Sequence, residues 1–154
     1  MGLRGLMVVV AVAACGARGE ARPAAAPLPR FAPVPSSPNA VSSLAPATDA
    51  VHHVAPFAVA GEPAAFFAAA VDAALGMERT ALVTRDAGYA HITFTTPTFR
   101  FVDDLELRLD AAAGVVHVRS ASRVGYGDMG LNRRRVEELR ARLPSGPAAP
   151  AAGP

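Results

Sequence analysis

The 154-residue chain contains no lysine; all fifteen of its basic side chains are arginine, a bias that a GC-rich genome imposes and that points to no function by itself. It has one cysteine, Cys15, which excludes an internal disulfide and any cysteine-based metal cluster. Crossing a bilayer takes about 20 consecutive apolar residues, and the apolar run at residues 6–14 has only nine. Charge of either sign is scarce in excess. Fifteen arginines against thirteen acids leave a net +2, or +1 without Arg4. That small excess, with no basic face evident, argues against a nucleic-acid partner despite a pI near 9.3. The spacing of a Ser/His/Asp elbow is missing, and so is a phosphate loop. Gly125-x-Gly127-x-x-Gly130 matches a dinucleotide fingerprint only by accident, because no βαβ unit follows it.

What is present divides the chain. Arg4 and the apolar run at 6–14 have the form of a signal peptide, ending in Val12-Ala13-Ala14-Cys15, an aliphatic and two small residues before a cysteine. This is the pattern of a bacterial lipobox. Cleavage would leave Cys15 to carry more than one hydrocarbon chain, and several chains hold a protein stably where one does not. The expectation is therefore an exported, membrane-anchored protein facing the periplasm or cell exterior, in the outer membrane if two are present. Residues 1–14 are the signal peptide, 15–35 a disordered Ala/Pro-rich linker, 36–143 one domain and 144–154 a disordered tail. The 108 residues of the domain suffice for a core, although the 51% hydrophobic content is inflated by alanine.

Within the domain, residues 52–60 suggest a short strand bent at Pro56. Residues 62–76 form a helix, with Pro63 in its first turn, Gly76 at its end, and Phe66, Phe67, Ala70, Val71, Ala74 and Leu75 as its apolar stripe. Residues 80–85 and 89–95 make a hairpin around Asp86-Ala87-Gly88. From 99 to 110, Phe99, Phe101, Leu105, Leu107 and Leu109 alternate with charged residues, as in a half-buried strand. If 111–114 is the next turn, Asp110 faces Val115, and Leu109–Val116, Leu107–Val118, Leu105–Ser120, Asp103–Ser122, Arg108–His117 and Glu106–Arg119 follow as cross-strand pairs. A strand over 115–124, a Gly-rich turn and a helix capped by Asn132, with Val136, Leu139 and Leu143 buried, complete the order strand, helix, four strands, helix. The fold class is α+β: a single small domain with an antiparallel sheet of about five strands and two helices packed on one face.

Several polar residues need a physical explanation. Asp103 lies in line with inward-facing residues, so burial demands a partner: Ser122, Arg123 or the cluster Arg133, Arg134 and Arg135. Asp104 and Glu106 share the opposite face, and with arginines nearby they form a charge ladder rather than an acid/base pair. Three arginines in the first turn of the last helix oppose its dipole, which favours anions there. The compensating negative charge is either internal, from Asp103, Asp104 or Asp128, or a bound phosphate, carboxylate or lipid headgroup. The candidate ligand site is thus Arg119, Arg123, Asp128, Asn132, Arg133, Arg134 and Arg135, with Asp103, Asp104, Glu106 and Ser122 as a structural polar network. His52, His53, His91 and His117 are too scattered for a metal site. No metal, cofactor or catalytic residue is assigned. The balance falls on a binding or structural domain for an anionic small molecule or an envelope protein, with the membrane engaged through Cys15. The alternative is a hydrolase using Asp103, Asp104 or Glu106 beside the arginines.

Three segments carry a resemblance: Pro38-Asn39-Ala40-Val41-Ser42-Ser43, the run from Phe99 through Glu106, and Arg119-Ser120-Ala121-Ser122-Arg123-Val124-Gly125-Tyr126-Gly127-Asp128-Met129-Gly130-Leu131-Asn132 with the three arginines after it. Together they resemble the family known as domain of unknown function 1499, over about residues 36–143. The resemblance implies a bacterial exported or lipid-anchored protein, or a plastid one, and no established activity. Relatives usually carry cysteine in the first motif where this chain has Ala40, which puts any thiol role in doubt. Without a thiol, that segment is expected to be a turn whose short polar side chains bond nearby backbone.

Overall fold

Alternation of apolar and polar residues sets the centre of the molecule. In the computed structural model, which describes residues 31–144, β5 (Val102–Asp110) and β6 (Val115–Ser122) pair antiparallel in the register expected from the turn, from Asp110–Val115 to Asp103–Ser122. β4 (Tyr89–Thr95) lies on the other side of β5, and β3 (Thr80–Arg85) on the far side of β4. β3 is a mostly exposed edge strand with a register shift between Leu82 and Thr84. The sheet has six strands, in the order β1-β6-β5-β4-β3, with β2 also pairing with β6. β1 (Ala40–Ser42) takes one end of β6 and β2 (Phe57–Ala58) the other.

Both helices pack on one face. α1 (Pro63–Leu75) starts at Glu62, whose carboxylate accepts the N–H groups of Ala64 and Ala65, and it buries Phe66, Phe67, Ala70, Val71 and Ala74. α2 (Leu131–Arg142) buries Val136 and Leu139. These meet the inward residues of the sheet, Ala90, Ile92, Leu105, Leu107, Val116 and Val118, in a single core. The molecule is a small α+β domain with an open antiparallel sheet.

Four expectations need correction. The segment at 52–60 is not one strand: only Phe57 and Ala58 pair, with a single bridge from His53 to Ser42. The backbone carbonyls of Ala50, Val51 and His53 accept from the Arg133 guanidinium, and those of Ala55 and Pro56 from Arg140. The carbonyls a ladder would use are thus held by arginines of α2. The strand at 99–110 begins only at Val102. Arg100 takes a positive φ of 53°, and Phe101 N–H donates to the Thr96 hydroxyl, so the chain closes a loop and leaves Phe99 and Phe101 in solvent, stacked on each other. The strand over 115–124 stops at Ser122, and Gly125 turns the chain with φ 92°. Finally, Pro38 to Ser43 is not a local turn. Ala40–Ser42 is β1; the Ser42 hydroxyl does accept from the nearby Leu44 N–H as expected, but Asn39 donates to the distant Gly125 carbonyl and Ser43 accepts from Val118 N–H.

The signal peptide, Cys15 and most of the linker and tail lie outside the described residues. No helix among the described residues is long and apolar enough to cross a membrane.

Candidate functional site

The register of the sheet sorts the charged residues into two layers. On the face turned to the helices, the row Phe94–Asp103–Ser122 ends the apolar core. Asp103 is buried there, and its carboxylate accepts from the Arg135 guanidinium at 2.7 Å. Arg135 also donates to the Ser120 hydroxyl and the Asn132 side-chain oxygen, and its guanidinium lies 4.5 Å over the Phe94 ring. Each of its contacts is a group that a desolvated cation requires.

Asn132 is the hub of this layer. It is not the cap of α2 but its second residue, fully buried. Its oxygen accepts from Ser120 and Arg135, and its amide donates to the Asn39 carbonyl, the Ser122 hydroxyl and Asp128. Asp128 does the capping: its carboxylate accepts the N–H groups of Gly130 and Asn132. The negative group expected at the start of the helix is therefore in place within the chain. Asn39, missed as a site residue, bonds Gly125 with its side chain and Asn132 with its carbonyl, so the first and last motifs meet at the entry to α2.

The outer face carries the second layer. Glu106 accepts from Arg119 at 2.9 Å and from the Tyr89 hydroxyl at 2.8 Å, all three buried. Arg119 also reaches the Pro33 carbonyl, while its Nε is buried without a partner among the described residues. Burial, together with the hydrogen bond and the charge of Glu106, pushes the Tyr89 hydroxyl well above the usual phenol range. Asp104 accepts from Arg123 through both oxygens and pairs with His91 at 2.7 Å. Burial pushes its carboxyl up, but the bonds from Arg123 and His91 prevail and hold it below the ordinary range. His117 pairs with the Ser43 hydroxyl at 3.1 Å; burial and the Arg108 charge lower its pKa. Tyr89 lies in no motif, and only its position opposite Arg108 reveals it; Ser43 closes the first motif, but its pairing with His117 depends on β1 lying beside β6.

The three consecutive arginines separate. Arg133 binds the 50–53 turn through carbonyls, and Arg135 is the buried partner of Asp103. Arg134 is exposed and donates to the Met129 carbonyl at 2.7 Å, with no carboxylate partner among the described residues. It lines an open cleft of about 380 Å³, together with Arg79, Arg135 and Arg142 and with Glu78 and Glu138. Arg79 and Arg142 are paired with those two glutamates. The structure thus places Arg134 and Arg135 on one cleft, while Asp128 and Asn132 serve the start of α2 and do not line it. Arg119, Arg123 and Arg133 lie elsewhere. No group of three His, Cys, Asp or Glu side chains among the described residues could hold a metal ion.

A family model described as a protein of unknown function (DUF1499) matches residues 30–143. No curated protein matches the chain.

Proposed function

The chain belongs to the DUF1499 family, whose description assigns no activity, and from that premise we propose that it is a lipid-anchored envelope protein whose domain binds a small anionic molecule in the cleft beside α2. The observation that carries this is Arg134: a solvent-facing guanidinium, held by one backbone carbonyl, at a cleft that shows three further arginines. A cleft of this size is at the lower end of small-ligand sites, and few convergent polar groups suffice to orient a ligand there. Arg135, fixed by Asp103, supplies a rigid wall, and Arg134 supplies the free donors that a carboxylate or phosphate takes in pairs. The helix end itself is not the binding point, since Asp128 already fills it.

The hydrolase alternative draws less support. A general acid needs a carboxyl with a raised pKa, whereas Asp104 is held low and Asp103 and Glu106 are each locked to an arginine.

Titration calorimetry of the full chain with inorganic phosphate and with citrate tests the binding reading. Arg134→Gln should weaken whichever anion binds by about tenfold or more, the effect of losing a charge-assisted hydrogen bond, while Arg108→Gln, on the far face, should not. Equal binding by wild type and Arg134→Gln would refute it. The anchor has its own test: Cys15→Ser should move the protein from the membrane to the soluble fraction.

A further inference from the structure

Two loops at one end of the sheet, 96–101 and 123–130, carry the most exposed large apolar side chains of the domain. Met129 is 94% exposed, Tyr126 79% and Phe99 74%, with Phe101 and Val124 beside them. Phe99 and Phe101 stack at 5.5 Å, and these loops border an apolar hollow of about 320 Å³. Apolar side chains gathered in this way are rarely left to water without a partner.

We propose that these loops dip into an anionic lipid surface. Charge argues for lipid over protein or a neutral membrane. Arg100 stands between the two phenylalanines, exposed and without a carboxylate partner among the described residues. The acids nearest these loops are each held: Asp103 by Arg135, Asp104 by Arg123, Asp128 by the N–H groups that open α2, and Glu78, on the neighbouring cleft, by Arg79. The end therefore presents aromatic and thioether groups with an unpaired cation and no free carboxylate. Aromatic rings settle at the headgroup level, and a nearby arginine is drawn to anionic headgroups. The backbone fits the same use. Arg100 and Met129 both adopt left-handed conformations, with φ of 53° and 54°, which set their side chains on tight loop tips instead of in a strand or helix.

The chain contains no tryptophan, so one introduced indole reports its own surroundings. Tyr126→Trp places it on the loops, and Ala112→Trp places it in the exposed β5–β6 turn at the opposite end of the sheet. Each full-length variant is reconstituted with vesicles of phosphatidylglycerol or of phosphatidylcholine, with or without brominated acyl chains. An N-terminal tether holds both variants alike, so only insertion distinguishes the two positions. The expected result is a blue shift and bromine quenching at 126 but not at 112, on phosphatidylglycerol and much less on phosphatidylcholine. Adding Arg100→Glu, or Phe99→Asp with Met129→Asp, to the Tyr126→Trp chain should remove the quenching. Equal quenching at the two positions, equal quenching on the two lipids, or quenching that survives both sets of changes overturns the proposal. So does the same blue shift produced without vesicles by monomeric octyl phosphate, which would make the hollow a small-ligand pocket.

Discussion

The Asp103 carboxylate and the Arg135 guanidinium meet at 2.7 Å with side chains only 2% and 7% exposed, joining the central strand β5 to the second turn of α2. Removing one partner leaves the other charged and dry. Asp103→Ala should destabilise the domain by about 3–5 kcal/mol, measured by urea unfolding. The double change Asp103→Leu with Arg135→Met should cost less than Asp103→Ala alone, because it strands no charge. A double variant as unstable as the single one would mean that the geometry of the pair, not its charge balance, holds the helix.

The cap of α2 makes a smaller, separate contribution. Asp128→Ala removes the acceptor of two helix-end N–H groups and should cost about 1 kcal/mol, whereas Asn132→Ala should cost more, since it leaves Ser120, Ser122 and Arg135 each short of a partner. Unfolding midpoints of the two variants in parallel check the order.

Tyr89 should resist ionisation, since burial and Glu106 both raise its pKa. The chain has two tyrosines. At pH 11 the phenolate absorbance gained by wild type should equal that gained by Tyr89→Phe, because Tyr89 contributes none of it. Stability should also fall as pH climbs above 10, where the unfolded chain releases this proton and the folded one does not.

Acid should act in two stages. The His117 pKa is lowered from 6.5, so the unfolded chain takes up that proton first; the stability linked to His117 is whole above 6.5 and is lost as pH falls through the lower folded value. Asp104 is lowered from 3.8, so its contribution is whole above 3.8 and is lost on further acidification. Urea midpoints between pH 8 and 3 should show both declines. His117→Gln should lessen the first and Asp104→Asn the second.

The β5–β6 register was legible because alternation fixes which side chains face inward and a four-residue turn fixes the offset. The need of Asp103 for a partner was legible for the same reason, and the 133–135 arginine cluster does supply it. The choice of Arg135 within that cluster was not, since it depends on how α2 rotates over the sheet. The alternation also misled at Phe99 and Phe101, where it continues into a loop set by Arg100 and Thr96. β1 was hidden because its three residues owe their conformation to β6 and show no period of their own. The 52–60 segment has the composition of a strand, and nothing local reveals that Arg133 and Arg140, some 80 residues later, take its carbonyls.

The outermost strand, β3, has half-exposed Leu82 and Val83 at the point where its register slips against β4. A straight strand with those side chains would offer neighbouring molecules an unbroken row of hydrogen-bonding groups, the template on which fibrils grow. The slip interrupts that row halfway along. Deleting Val83 to restore an even pairing should therefore leave the fold intact yet make concentrated solutions turn cloudy and bind thioflavin, a hazard that one extra residue keeps in check.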